Sequence, residues 1–598
     1  METDQGPLAW CRVCERWLLL GMTLLMVAIP LAQIVTRELF DFGLIGGGAI
    51  SQHLAIWIAW LGAIAAAFRS EHLGLGNLSG LFPQRLERAR RALVSLVSAG
   101  VSAGLFIAAA RFVGFEMQSA ATIGNWLPVW VAELALPIGL FGVAASFLMT
   151  RASNHVAAFL GLFAVALIEP FAEGADVTLL VPLFALLGVT FFLGAPIFVL
   201  IGGAALLLFT AIEVPIAAVA VEAYRMSVSP IIPAIPLFTL VGFVMTSSNA
   251  GERLVEVFRA FFGWLPGGVA LATVLVCAFF ASFTGSSGVL ILALGGLLAP
   301  MLTSAGYSGR FSMGLVTSAG STGLLLPPSL ALILFAVVAQ VSILDLFAAS
   351  LLPAAIMIFG ISAFAVWRGV REGVTREPFE PRRAARALWR ARWELATPVI
   401  ALGSIFGGLA TLFEAAALTV GYTLVVSTVV HREVDVRRDL GDIVLRSSVL
   451  IGGVFIILAT AMALTSFLID AQIPDRAADW AVANIGSKLL FLLALNVILL
   501  IAGCVMDVFS AIAVLTPLLL PVGAQFGISP VHLAIIFLAN LELGYLTPPV
   551  GMNLYLAAFR FEKPLAEVIV SVLPILLVML AFVLAITYLP LVLPFPGF

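Results

Sequence analysis

The sequence predicts an all-α polytopic membrane protein organised around an internal repeat, and three observations carry that expectation. Of 598 residues, 62% are hydrophobic and only 11% are charged, with a mean hydropathy of +1.15. A spanning helix needs about 20 apolar residues, so the chain has room for many. Second, paired prolines interrupt an apolar run twice, in Gly-Ser-Thr-Gly-Leu-Leu-Leu-Pro-Pro-Ser at 320–329 and in Leu-Glu-Leu-Gly-Tyr-Leu-Thr-Pro-Pro-Val-Gly-Met-Asn at 541–553. Third, the two interruptions stand 221 residues apart (548 − 327), and that offset also pairs Gly323 with Gly544, Pro300 with Pro521, Gly306 with Gly527, Ser308 with Ser529 and Ser286 with Asp507. Proline removes a backbone donor and disfavours helix before it. Bare helix ends in lipid are costly, so such breaks belong in buried protein or around a polar cavity. Matched breaks in two repeats point to a transported ligand.

Taken in order, the chain opens with a span at 17–36, too long and without the small-residue cleavage site of a signal peptide. Arg12 and Arg16 before it place the N-terminus inside. A second span covers 50–68, and the following loop, with Arg69, Arg85, Arg88, Arg90 and Arg91, is inside again. Spans at 92–113 and 126–150 flank an outer loop with Glu116 and return the chain to Arg151. Residues 1–152 thus read as a four-helix unit. Residues 153–176 read as a linking transmembrane helix that ends outside among Glu169, Glu173 and Asp176.

The first repeat occupies 177–366 and the second 396–598. Between them, 367–395 is a basic, amphipathic, cytoplasmic linker containing Arg368, Arg371, Arg376, Arg382, Arg383, Arg386, Arg390 and Arg392. Arginine content also sets the relative orientation of the repeats. Residues 210–225 hold one arginine, whereas their counterparts at 431–446 hold four. Equivalent loops therefore lie on opposite sides, and the repeats are inverted.

Ahead of each double proline lies a polar interruption: Thr284-Gly285-Ser286-Ser287-Gly288 in the first repeat and Met506-Asp507-Val508-Phe509-Ser510 in the second. The apolar flanks are too short to span and suit re-entrant hairpins. Each repeat would then offer one hairpin tip and one broken helix. Unwound carbonyls and Ser/Thr hydroxyls are hard oxygen ligands for Na⁺, while half-helix N-termini favour a carboxylate. Asp507 either supplies the one formal anion to a cation site or caps the helix that follows it. Ser286 and Ser287 are either ligands or small packing residues.

Other chemistry is thinly represented. The net charge of −3 gives no footprint for nucleic acid. Cys11 and Cys14 form a lone CxxC without a second ligand pair, and Cys277 and Cys504 sit in apolar runs. Gly486-Ser487-Lys488 lacks the order of a phosphate-binding loop. An enzyme or ATP-driven component is therefore disfavoured. Glu414 reads as a packing or interdomain contact, Glu542 as either a cavity or a structural group, and His532 as a loop residue. Arg111, Glu133 and Asp345 read as interface or membrane-surface groups, and Trp17, Trp57, Trp60, Trp126 and Trp130 as interfacial anchors.

Residues 319–334 and 504–559 closely resemble the large membrane subunit of tripartite ATP-independent periplasmic (TRAP) transporters, as do Phe413-Glu414-Ala415-Ala416-Ala417 and Ser342-Ile343-Leu344-Asp345-Leu346-Phe347. In the N-terminal unit, Arg37, Phe40, Trp57, Trp60-Leu61-Gly62-Ala63, Arg69 and His72 resemble the small subunit, although Gln52-His53 stand where acidic residues are expected. The resemblance implies a natural fusion of both subunits, set in the bacterial inner membrane. It implies a secondary importer using Na⁺ as coupling ion, without organic cofactor, and an elevator mechanism. Its partners would be a periplasmic substrate-binding protein, a small organic anion and membrane lipid, with no nucleic acid and no ATPase subunit. By the same resemblance, Thr284, Ser286, Ser287, Gly320, Thr322 and Gly323 would form one Na⁺ site, and Met506, Asp507, Gly544 and Thr547 a second. Ser287, Ser321, Pro327, Asn540, Pro548, Gly551 and Asn553 would face the substrate. The alternative function is a stand-alone Na⁺/dicarboxylate symporter that needs no binding protein.

Overall fold

The computed structural model describes residues 8–44, 46–69, 84–150, 177–227, 229–548 and 550–592; the linking helix expected at 153–176 lies outside them. Among the described residues, 11 helices are long and apolar enough to cross a membrane. The protein is a polytopic helical membrane protein, as expected. One departure from an all-helical chain is a short antiparallel ladder, Thr122–Ile123 with Leu127–Pro128. Gly124 and Asn125, both at positive φ, turn the chain between its strands, a conformation that glycine and asparagine tolerate best.

The 221-residue offset reappears helix by helix. Gly268–Thr284 corresponds to Lys488–Val505, Ser287–Ser304 to Val508–Gln525, and Gly309–Ala319 to Pro530–Gly544. Leu330–Ala339 corresponds to Met552–Phe561, and Ile343–Glu372 to Leu565–Tyr588. The punctuation matches as well. Gly306 and Gly527 both turn at positive φ, and Ser308 and Ser529 are both helix N-caps. The repeats differ upstream. Pro230 and Pro233 separate Ala217–Ser227 from Ala234–Thr246, whereas the equivalent stretch of the second repeat is one helix, Leu440–Asp470.

The described chain falls into two compact units that do not follow its linear order. One gathers Met1–Pro236, Leu440–Pro474 and Ala513–Leu515. Its axis is Leu440–Asp470, whose most apolar window is 83% buried. Gly47–Arg69 packs along it. A Cβ added at Gly62 would stand 1.9 Å from the Ser448 carbonyl oxygen, and one at Gly452 would stand 2.0 Å from the Ala63 nitrogen. This is backbone-to-backbone packing through small residues, which membrane helices use in place of hydrophobic association. In the same unit His53 Nε2 lies 2.9 Å from the Tyr224 hydroxyl, and Tyr224 also hydrogen-bonds Glu133. Glu133 is 1% exposed; of the two roles the sequence suggested it takes the interface one and not the membrane-surface one, because its partner Tyr224 belongs to the first repeat and Glu133 to the four-helix unit. Burial without a partner would be expensive for a carboxylate, and the tyrosine supplies one.

The other unit contains Leu237–Asp439, Asp475–Ile512 and Thr516–Phe598, and with them every matched break. Arg253 ties its outer elements together, donating to Glu394 at 2.8 Å and to both oxygens of Glu433. Burial alone would raise the Glu433 pKa, but Arg253 and the Asn249 N–H hold it below its ordinary value. Glu414 is buried and has a defined local role. It closes a capping box on helix Leu412–Val425, accepting from the Thr411 N–H at 2.9 Å while Thr411 Oγ1 accepts from the Glu414 N–H at 3.3 Å. His532 is buried inside helix Pro530–Gly544, not in a loop. Serine at the N-cap and proline at the first helical position start that helix ahead of it.

Candidate functional site

All candidate residues lie in the second unit. At the first interruption, helix Gly268–Thr284 ends on Gly285, whose φ of 60° is left-handed, and Ser286 leads into helix Ser287–Ser304 in extended conformation. These two helices pack against each other. At the tip the Ser286 N–H donates to Thr284 Oγ1 at 3.5 Å, and Thr284 Oγ1 donates to the Ser286 carbonyl at 3.3 Å. The tip nests against the first broken helix. A Cβ at Gly323 would stand 2.1 Å from Ala281 Cβ, and one at Gly320 3.5 Å from the Ser287 carbonyl oxygen. At Gly323 only glycine admits that approach, whereas the contact at Gly320 is an ordinary one.

The second interruption repeats the contact. A Cβ at Gly544 would stand 2.4 Å from Gly503 Cα, and Gly503 is one offset from Ser282, the neighbour of Gly323 in the first repeat. Here, however, Lys488–Val505 and Val508–Gln525 do not pack along one another; Lys488–Val505 packs on Pro530–Gly544 instead. Met506 and Asp507 join them. Asp507 is the N-cap of Val508–Gln525: its Oδ1 accepts from the Phe509 and Ser510 N–H groups at 3.0 and 3.1 Å, and its Oδ2 accepts from the Ser510 hydroxyl. Its carboxylate is thus taken up in capping the helix that follows, and a carboxylate that caps a helix keeps its negative charge for a cation. The cap and the ligand readings are therefore compatible.

Three of the residues assigned to substrate by resemblance meet. Ser287 Oγ donates to Asn553 Oδ1 at 2.8 Å, and Asn553 Nδ2 donates to Ser321 Oγ at 3.0 Å, all three being 1% exposed or less. The bridge joins the first tip, the first broken helix and the second broken helix, and it engages Asn553 at both ends of its amide. Asn553→Ala is expected to lower stability by about 1–3 kcal/mol, the cost of stranding buried hydroxyls, measurable as a drop in Tm in detergent. Gly551, at a φ of 32°, turns the chain back so that its N–H reaches the Cys504 carbonyl at 3.3 Å.

Other assigned residues are placed differently. Asn540 is buried but donates to Asn496 Oδ1 at 2.8 Å, and Thr587 donates to the same oxygen at 3.2 Å. The hydroxyls of Thr322 and Thr547 donate to the Ala319 and Leu543 carbonyls at 2.8 Å, which spends their protons and leaves oxygen lone pairs available. Pro327 is buried and Pro548 is exposed at the breaks. Sequence reasoning missed Tyr545, whose hydroxyl accepts from the Val508 N–H. It left open Glu542, 0% exposed, with both carboxyl oxygens buried and without a hydrogen bond of ordinary geometry among the described residues. The signal for Glu542 was present, since the 221-residue offset pairs it with Ser321. No group of three His, Cys, Asp or Glu side chains suited to a metal ion occurs among the described residues.

Residues 180–592 match the family described as tripartite ATP-independent periplasmic transporter, DctM component, and residues 26–158 match the DctQ component of the same transporters. The chain is 30% identical to the isethionate TRAP transporter permease protein DctMQ of Oleidesulfovibrio alaskensis, over 99% of this chain and 95% of that one. It is 33% identical to the C4-dicarboxylate TRAP transporter large permease protein DctM of Rhodobacter capsulatus, over 68% of this chain and 96% of that one. The sialic acid TRAP transporter permease protein SiaT of Haemophilus influenzae is similar at 24% identity over 97% of this chain and 98% of its own. The chain therefore belongs to the tripartite ATP-independent periplasmic transporter family, as a multi-pass membrane permease, not an enzyme, with DctQ and DctM components in one polypeptide.

Proposed function

We propose that the protein is a Na⁺-coupled elevator importer that takes a small organic acid anion from a periplasmic substrate-binding protein. The observation that carries this reading is the gathering of both interruptions and both broken helices in one compact unit, joined through Ser287, Asn553 and Ser321. An elevator needs its binding elements on one body. The unit holding the DctQ-like helices contains none of the matched breaks and is the natural fixed part. Relatives named for isethionate, C4-dicarboxylates and sialic acid support an organic anion as cargo. Arg12, Arg16 and the basic linker favour a cytoplasmic N-terminus.

In this reading Na⁺ binds at each tip. The first site offers Thr284, Ser286 and carbonyls of the Gly320–Gly323 turn, and the second offers Asp507 with carbonyls around Gly544 and Thr547. Oxygen donors of this kind suit a hard monovalent cation, and the helix N-termini at Ser287 and Val508 present positive ends to an anion. The test is uptake into proteoliposomes supplied with the loaded binding protein. An inward Na⁺ gradient should drive accumulation; full accumulation from a proton gradient in Na⁺-free buffer would reject Na⁺ coupling. Uptake without any binding protein would favour the stand-alone symporter. Ser286→Ala should raise the Na⁺ concentration for half-maximal uptake about tenfold, since one neutral ligand compares with an ordinary hydrogen bond of about 1–1.5 kcal/mol. An unchanged Na⁺ titration would return Ser286 to a packing role.

A further inference from the structure

Helix Pro381–Arg390, in the linker between the repeats, carries chemistry that transport leaves unused. Its inward face is small: Ala384, Ala387 and, just beyond its end, Ala391 are 3% exposed or less. The opposite face, at helical spacing, presents Arg382, Arg386 and Trp389. Trp389 is 68% exposed, and the Arg392 guanidinium lies 4.1 Å from the centre of its ring.

The charge on this segment is not balanced internally. Six arginines between 376 and 392 face two glutamates, and one of these, Glu377, is already held by Arg259 and Arg383. Arg382 and Arg386 pair with no carboxylate among the described residues; Arg386 donates only to the Arg382 carbonyl, at 3.3 Å. The depth of the helix is marked by the span before it. Ile343–Glu372 ends with Trp367, 44% exposed, under the Arg371 guanidinium at 4.2 Å. Tryptophan and arginine so placed mark the headgroup level of a bilayer, and the linker helix begins only nine residues after that span.

We propose that the outward face of Pro381–Arg390 docks on anionic phospholipid headgroups of the adjoining leaflet, with Arg382 and Arg386 on phosphate and Trp389 at the interface. A solvated basic face would not need an exposed tryptophan in its midst; a face that meets a lipid surface combines both. Charge complementarity selects the anionic lipid over a zwitterionic one, and each arginine at a membrane surface is worth about fivefold in affinity.

The test titrates phosphatidylglycerol and phosphatidylcholine separately into the detergent-solubilised full-length chain and counts bound lipid by native mass spectrometry. The wild type should bind phosphatidylglycerol more tightly than phosphatidylcholine. Arg382→Gln with Arg386→Gln should weaken phosphatidylglycerol about twentyfold or more and leave phosphatidylcholine unchanged. Arg382→Lys with Arg386→Lys should retain most of the preference, because the point charge remains. Charge loss at the exposed Arg476, Arg476→Gln, should not alter it. Equal binding of the two lipids by the wild type, or an unchanged preference in the glutamine variant, would overturn the proposal.

Discussion

Asp507→Asn is expected to abolish the response to Na⁺ while leaving the protein folded. The aspartate caps a helix in this geometry, and in the proposed function it has a second, separable job. As an N-cap it accepts hydrogen bonds from the Phe509 and Ser510 N–H groups, and asparagine caps helices about as well as aspartate does. As the anion at the second tip it would hold a cation, and asparagine removes that charge. The measurement needs no knowledge of the cargo. A ligand that binds only the native state raises Tm by mass action, so the wild type should melt higher in NaCl than in choline chloride of equal strength. The asparagine variant should melt near the wild type in choline and show no Na⁺-dependent rise. Asp507→Ala should lose both the rise and about 1 kcal/mol of cap. If Asp507→Asn retained the whole Na⁺-dependent rise, the carboxylate would be a cap alone.

The parts of the site that were legible in the sequence were those written in proline, glycine and offset. Paired prolines cannot continue a helix in any context, so the breaks near 327 and 548 followed from chemistry local to them. Gly323 and Gly544 were legible because the 221-residue offset pairs them beside the double prolines; their close partners, Ala281 and Gly503, appear only in the fold. Contacts made by ordinary residues over long sequence distances were not legible. Asn540 resembles a ligand by motif, yet its amide is used by Asn496 and by a network reaching Thr587, 91 residues from Asn496. Tyr545 stands beside Gly544 in the motif, but only the folded chain brings its hydroxyl to the N–H of Val508. The Glu414 cap was legible, since Thr411-Leu-Phe-Glu414 has capping-box spacing, although it lies within an apolar run.

The arrangement into units shows the same limit at larger scale. Sequence order puts Leu440–Asp470 with the second repeat, and by offset it belongs there. Packing puts it with the DctQ-like helices. Nothing periodic announces that choice, because the faces involved are glycine, serine and alanine within long apolar runs. A repeat can thus be continuous in sequence while one of its long helices serves one body and most of its other helices another. In the proposed elevator, this division would let one repeat supply both fixed and moving parts.

Gly452→Ala and Gly453→Ala should therefore change stability in opposite directions. Both glycines lie in the interior of Leu440–Asp470, and both substitutions recover about 1 kcal/mol of helix propensity. At Gly453 an added Cβ meets nothing within 4 Å, so Tm in detergent should hold or rise. At Gly452 the Cβ would stand 2.0 Å from the Ala63 nitrogen and 2.3 Å from the Gly62 carbonyl carbon. These are backbone atoms that no rotamer change can move, so Gly47–Arg69 must be levered away from Leu440–Asp470. Overpacking costs about 1–3 kcal/mol, which offsets or exceeds the propensity gain, and Gly452→Val should cost more than Gly452→Ala. The loss would fall on the seam that joins a DctQ-like helix to the second repeat. Its signature would be a lower Tm and easier proteolytic separation of the N-terminal helices, with the Na⁺-dependent rise in Tm preserved in the protein that remains folded. Equal effects at the two neighbouring glycines would show that the close backbone approach does not hold this unit together.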